Sequence, residues 1–330
     1  MIEIRSKCHS VDEVRTLIAE FWGPRHALLH DARLLDWQHK DADGSYNFFV
    51  AEDENVGCCG LLGYIPISQW DASVRSDAWF GAIWAANPDA PGAGLLLLKR
   101  LIEVQPEHRY YTVGMSDIAA RIYARLGIGL ETLGHYFLPA GHFNPSQWGG
   151  LGKTFCAPLS FIHRFDIRLV GSDDLESAWE AEWTERYPTR SEPFVRKRFL
   201  EHPTYEYQLH IATSEHARVF IASRIVESHI GKCLKILDVL STGDPAPLLP
   251  SAVSALVEDS GASFADYYCI DRCTATSTST LGLLRVSDFP GVVVPNYFSP
   301  FEPRNVTLRA AHTFPLEFVT RSDGDQDRPS

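Results

Sequence analysis

Two stretches of this chain have residue types and spacing suited to chemistry. The first, Asp89-Ala90-Pro91-Gly92-Ala93-Gly94-Leu95, follows an apolar run and opens into Leu96-Leu97-Leu98. Glycines at a strand-to-helix turn let backbone approach a phosphate, and the helix end presents unpaired N–H groups with a positive partial charge. The same turn also occurs where no phosphate binds. The second stretch, Ser116 to Ile128, carries Tyr123. A phenol is neutral at pH 7, donates a hydrogen bond and is close in pKa to a thiol. Packing beside Ile122 and Leu126 is the plain alternative for its ring. Lys99, Arg100, Arg121 and Arg125 lie near enough in sequence to meet phosphates, or else form a solvated surface.

The elements that must position these residues follow from periodicity. Ser10 with Glu13 makes a capping box before Val11, Val14, Leu17, Ile18 and Phe21, which have helical spacing. Gly23-Pro24 ends that helix, and a second is expected over His26 to Trp37. Strands are expected at Tyr46 to Ala51, Val56 to Ile67 and Ala78 to Ala85. A helix over Ala93 to Glu103, a strand at Tyr110 to Val113, a helix over Asp117 to Leu126 and a strand at Leu130 to Leu138 complete the first half.

This order resembles that of the GCN5-related N-acetyltransferases, over roughly residues 10 to 138. The family's phosphate loop reads Gln/Arg-x-x-Gly-x-Gly/Ala. Here Gly92 and Gly94 match and Asp89 departs. The family's following helix reads Asn-x-x-Ala-x-x-Leu-Tyr-x-x-x-Gly-Phe, which Ser116 to Ile128 resembles. The resemblance implies that Gly92, Ala93, Gly94 and Leu95 hold the pyrophosphate of an acyl-coenzyme A cosubstrate, with Arg121 assisting. It implies that the strand carrying Ile83 and Trp84 presents backbone to the acyl arm, and that Tyr123 protonates the departing thiolate. Many members place a glutamate on that strand, and Ala78 to Ala85 has no carboxylate. His202 and Asp238 are the candidate bases, and catalysis by proximity is the alternative.

Past a Gly- and Pro-containing stretch the order returns. Helices are expected at Asp173 to Arg186 and Ser191 to Glu201, and strands at Tyr207 to Ala212, Val219 to Val226 and Cys233 to Val239. A helix over Leu248 to Val257 and a strand at Phe264 to Ile270 follow. The equivalent loop, Ser241 to Pro247, has two prolines without N–H groups and an Asp244 that would repel phosphate. One coenzyme site is therefore expected, in the first half. The expected fold class is α/β with mixed sheets, as two acyl-coenzyme A N-acyltransferase-like domains in tandem. The expected limits are 1–140 for the first domain, 141–158 for a linker, 159–320 for a degenerate second domain and 321–330 for a frayed tail.

The segment Pro295 to Asn305 resembles one in two-domain acyltransferases acting on nucleotide-linked aminosugars. That resemblance implies an amine on a nucleotide-linked sugar as acceptor, within polysaccharide biosynthesis. Tyr205, Asn296, Tyr297, Phe298, Arg304 and Asn305 are then its candidate contacts, through stacking and hydrogen bonds. The alternatives are a peptide or other small amine, or a non-catalytic coenzyme A-binding scaffold.

The chain has 330 residues, 30 basic against 42 acidic, for a formal charge of −12. Such a balance disfavours nucleic-acid partners, because a phosphate backbone asks for a basic face. No apolar run reaches the ~18 residues of a membrane span. The opening Met1-Ile2-Glu3-Ile4-Arg5 lacks an apolar signal region, so a cytoplasmic location is expected. Seven cysteines without a CxxC pair or a zinc spacing point to reduced thiols and no metal. Adjacent Cys58 and Cys59 would face opposite sides of a strand. The 12% aromatic content hints at buried interfaces, leaving a homo-oligomer open.

Overall fold

The structure is a computed structural model, and it describes residues 1–74, 78–141, 161–162, 164–185, 187–229, 231–246, 248–271, 281–296 and 302–324. The chain divides into two compact units. The first comprises Met1–Glu131, Glu201–Tyr205 and Ala310–Pro315; the second comprises Thr132–Leu200, Glu206–Arg309 and Leu316–Ser330.

In the first unit, β1 (Ile2–Cys8), β2 (Tyr46–Asp53), β3 (Gly57–Pro66), β4 (Trp79–Ala86) and β5 (Tyr110–Val113) lie side by side in that order. The sheet ends with β14 (Arg309–His312) and β6 (Gly129–Thr132). β1 to β4 pair antiparallel, whereas β4 and β5 pair parallel. One face packs on α1 (Val11–Trp22), α2 (Ala27–His30) and α3 (Ala32–His39), through Val14, Leu17, Leu34, Phe48 and Ile83. The other packs on α4 (Ala93–Val104) and α5 (Asp117–Arg125), through Leu97, Leu101, Tyr110 and Tyr123. Strand alternation sends Cys59 into the second cluster and Cys58 against the first.

In the second unit, β7 (Gly134–Pro139) and β8 (Asp166–Leu169) flank a sheet with β9 (Gln208–Thr213), β10 (Arg218–Ser228), β11 (Gly231–Thr242) and β12 (Phe264–Asp271). Its order is β13-β7-β12-β11-β10-β9-β8, with β13 (Leu284–Arg285) at the edge. The pattern of the first unit recurs, since β8 to β11 pair antiparallel, β11 and β12 pair parallel, and a distant strand closes the far side. α8 (Leu248–Ser260) packs on one face through Leu249, Ala252, Val253 and Leu256. α6 (Ser172–Ala178) and α7 (Glu192–Val195) are short.

Several expectations are corrected. β1 extends the first sheet by a strand that the N-terminal sequence did not announce, because its alternation of apolar and charged residues is only half-buried. The helix expected over His26 to Trp37 is two, because the Asp31 backbone turns extended and its carboxylate caps α3 by accepting from the Arg33 and Leu34 amides. The single strand expected over Leu130 to Leu138 is two strands in different sheets, broken at Leu133, whose N–H donates to the Leu308 carbonyl. The stretch from Arg321 to Asp323, expected to fray, is buried, and Asp323 pairs with Arg190. Residues 142–158 of the expected linker and 325–330 of the expected tail lie outside the described residues. No described helix is long and apolar enough to cross a membrane.

Candidate active site

The first unit's sheet opens at its centre. β4 and β5 pair only at Trp79↔Tyr110 and Phe80↔Tyr111, yet β4 runs on to Ala86. A bulge accompanies the divergence. Leu62 faces Trp84 and Tyr64 faces Gly81, so three steps along β4 oppose two along β3, and such bulges re-aim a strand. Thr112 Oγ1 donates to the Gly81 carbonyl at 2.6 Å, the last link before the gap. Past it, Ile83 to Ala86 have no β5 partner on that edge. Ile83 buries its side chain in the α1–α3 cluster, leaving its backbone at the gap.

α4 begins beside this opening. Ser10, Asp31 and Ser116 cap α1, α3 and α5 with side-chain oxygens, whereas α4 has no side-chain cap. Its N-cap is Gly92, at φ 93° and ψ −11°, a left-handed conformation that glycine adopts without strain. A Cβ built on Gly92 would meet nothing within 4 Å, so the position opens to free space. Ala93 is buried, Gly94 and Leu95 are half-buried, and Asp89 is exposed, its N–H donating to Asn87 Oδ1 at 2.9 Å. The Ala93 N–H donates to the Ala90 carbonyl at 3.2 Å, so the amides of this turn that fit a phosphate-bearing ligand, next to open space and without a side-chain cap, are those of Gly92, Gly94 and Leu95.

Trp84 joins these two features. Its indole Nε1 donates to the Gly94 carbonyl at 3.2 Å, and its ring lies 5.4 Å from that of Tyr123. Tyr123 is 1% exposed, and its hydroxyl lies 2.7 Å from that of Tyr110, which is equally buried. Burial pushes both phenols up, Tyr123 well above its ordinary value, so Tyr123 keeps its proton throughout the physiological range. The Tyr110 ring requires glycine at position 81, where a Cβ would fall 2.7 Å from Tyr110 Cζ and Cε2. Tyr110, Gly81 and the indole of Trp84 were not singled out from sequence. The one legible signal was Gly81 itself, an isolated glycine among bulky strand residues, which marks a bulge or a close approach.

Arg121 is exposed on α5. His202 lies in the first unit, edge-on to Trp37 with ring centroids 4.5 Å apart and stacked on Tyr205 at 4.7 Å. Its Nδ1 accepts from the Thr204 and Tyr205 amides at 3.2 and 3.0 Å, so the neutral ring carries its proton on Nε2. The Nδ1 lone pair is thereby engaged by backbone, and the expected role of His202 as a base remains a proposal. The expectation for Asp238 is corrected. It is fully buried in the second unit, accepts from Arg190 Nε at 2.7 Å, and lies 3.4 Å from Ser322 Oγ. A carboxylate held so is structural. Asn296 accepts from Arg321 at 2.8 Å, Asn305 bridges the Val294 amide and the Val292 carbonyl, and exposed Arg304 pairs with Glu302. Tyr297 and Phe298 lie outside the described residues.

The second unit's sheet diverges at the same place and is filled there. β11 and β12 last pair at Ile236↔Tyr267. β7 holds one edge of β12, so β15 (Phe318–Thr320), which pairs with Cys269 to Asp271, lies on the edge toward β11. Ser322 and Asp323 then meet Asp238 and Arg190. The chain itself occupies the gap.

No protein-family model matches the sequence, and no curated protein matches it. Solved structures do. A GCN5-related N-acetyltransferase from Anabaena variabilis superposes with a TM-score of 0.54 at 11% identity, over 94% of this chain and 72% of that one. The fold is that of the GCN5-related N-acetyltransferases. A probable N-acyltransferase from Enterococcus faecalis gives 0.51 at 10% identity, over 94% and 72%. A GCN5-related glucosamine N-acetyltransferase region of a fungal multi-domain β-N-acetylglucosaminidase gives 0.53 at 11%, over 94% of this chain and 38% of that one. In the first unit, the divergence of β4 from β5 lies beside the start of α4.

Proposed function

We propose that the chain is an acyl-coenzyme A-dependent N-acyltransferase in which the acceptor amine attacks the thioester directly. The observation that carries this reading is the open edge of β4 beside the uncapped, glycine-started α4. Coenzyme A, when bound, supplies an activated thioester. The amides of Gly92, Gly94 and Leu95, on either side of Ala93, hold its pyrophosphate, with Arg121 adding charge from α5. The backbone of Ile83 and Trp84 orients the arm, and Tyr123 donates a proton to the departing sulfur, its phenol form being secured by burial. With Asp238 held in the second unit, the amine reacts as its neutral fraction, aided by proximity, and the proton its nitrogen sheds as the amide forms passes to solvent, balancing the proton that Tyr123 gives the sulfur and later regains.

The acceptor we favour is an aminosugar, including a nucleotide-linked one, since such amines lose their proton more easily than lysine. The likeness to a fungal glucosamine N-acetyltransferase region supports the sugar and is silent on the nucleotide. Tyr205, Asn296, Tyr297, Phe298, Arg304 and Asn305 are its proposed contacts, and the second unit, whose gap between β11 and β12 is filled among the described residues, serves acceptor binding. Incubation with acetyl-coenzyme A and a panel of glucosamine, a nucleotide-linked aminosugar and a peptide amine tests this. Thiol release with either sugar and not with the peptide supports it. Release with the peptide alone overturns the sugar assignment.

A second reading, a non-catalytic coenzyme A-binding scaffold, draws on the burial of Tyr123 and the lack of a carboxylate on β4. Coenzyme binding without turnover on any amine would select it.

A further inference from the structure

The indole of Trp84 sits where the proposed phosphate loop meets the proposed acid. A carbonyl oxygen has two lone pairs, so that of Gly94 can accept the indole N–H at 3.2 Å beside its place in the helix ladder. Gly94 is shaped to the ring, since a Cβ there would lie 3.3 Å from Trp84 Nε1 and 3.3 Å from Ala86 Cβ. On its other side the indole leans on Tyr123. Trp84 lies on the part of β4 that β5 no longer pairs, so its backbone is fixed from the β3 side, through Leu62. The first turn of α4, by contrast, has no side-chain cap. The Trp84 side chain is therefore a tether between the sheet and that turn.

We propose that Trp84 is a positioning residue that sets the register of the Gly92, Gly94 and Leu95 amides toward a pyrophosphate by holding the Gly94 carbonyl. The inference rests on the coenzyme A reading and extends it from backbone to side chain. It acts on the phosphate end of the ligand and leaves the thiol arm to the strand edge. Amides that are preorganised lose less on binding than amides that must be ordered.

The test is a comparison of two probes by binding alone. Coenzyme A carries the pyrophosphate, and pantetheine is the arm without it. In Trp84→Phe an aromatic ring stays on β4, while the pyrrole half of the indole and its N–H go. The dissociation constant for coenzyme A, read by calorimetry, should rise about 3- to 10-fold, the range of one hydrogen bond. That for pantetheine, read by ligand-observed NMR, should stay the same. Gly94→Ala, which presses on the indole, should weaken coenzyme A similarly. The double variant should be no worse than the weaker-binding single, because both act through one contact. Equal loss for both probes, or no loss for coenzyme A in Trp84→Phe, would overturn the role of Trp84 while leaving the coenzyme reading intact. Failure of the unaltered chain to bind coenzyme A would remove both.

Discussion

The hydroxyl oxygens of Tyr110 and Tyr123 lie 2.7 Å apart in the first unit, both rings closed off from water. One phenol donates to the other, so a proton given up by Tyr123 can be matched by a hydrogen bond from Tyr110 to the resulting oxygen. Tyr123→Phe should lower turnover with acetyl-coenzyme A about 100-fold, the lower end for general acid catalysis, with coenzyme binding unchanged. Tyr110→Phe keeps the ring and should cost about 10-fold by the loss of a hydrogen bond to a charged oxygen. Steady-state kinetics on the two variants checks this; unaltered turnover in Tyr123→Phe removes it from the mechanism.

Tyr123 is held well above the ordinary phenol value by burial. Its protonated form persists through pH 10, so turnover at saturating substrate should show no alkaline loss between pH 7 and about 10 from this group. A descending limb below pH 9 that disappears in Tyr123→Phe would contradict the burial argument.

Gly81 admits the Tyr110 ring, and Gly92 supplies the left-handed start of α4. Gly81→Ala forces Tyr110 aside and should destabilise by about 1–3 kcal/mol, as overpacking does, while lowering turnover. Gly92→Ala meets no atom but adopts a strained backbone, for about 1–2 kcal/mol. Its larger effect should be on coenzyme A affinity. Denaturant unfolding with calorimetry on both variants separates the two.

In the second unit Asp266 is paired with Lys235 and held at about 2, lowered by Lys235 against the raising effect of burial, and His135 is pushed down by burial. Both shifts carry the same sign. Below about pH 6.5 the unfolded chain binds a proton at His135 that the folded chain refuses, and from about pH 4 to 2 the same holds at Asp266, so stability is lost as the pH is lowered through both windows. Asp266→Asn leaves Lys235 buried without its countercharge and should cost about 3–5 kcal/mol at pH 7, with the lower window flattened. Unfolding measured across pH 2 to 7 reads this; an unchanged lower window would contradict the pairing.

The Ser10 cap, the Gly92 turn and the strands from Tyr46 to Val113 were legible because their signals are local: caps, glycines and apolar periods. The exchange of β7 and β14 between the sheets was not, since the pairing partners of Gly134–Pro139 and Arg309–His312 lie more than a hundred residues away. The same distance hid the Tyr110–Tyr123 pair and the role of Gly81, which depend on where α5 lands on β5. His202 and Asp238 carried the right chemistry for a base, and only the structure shows their partners, two backbone amides and Arg190. Asp323, in a polar terminal run, looked solvated until its contact with Arg190 was visible.

The central claim is that the first unit holds an acyl-coenzyme A at the gap between β4 and β5. Calorimetric titration of the full chain with acetyl-coenzyme A tests it most directly. A single site with micromolar affinity, weakened by Gly92→Ala, is the predicted result. The absence of binding at millimolar acetyl-coenzyme A would contradict it.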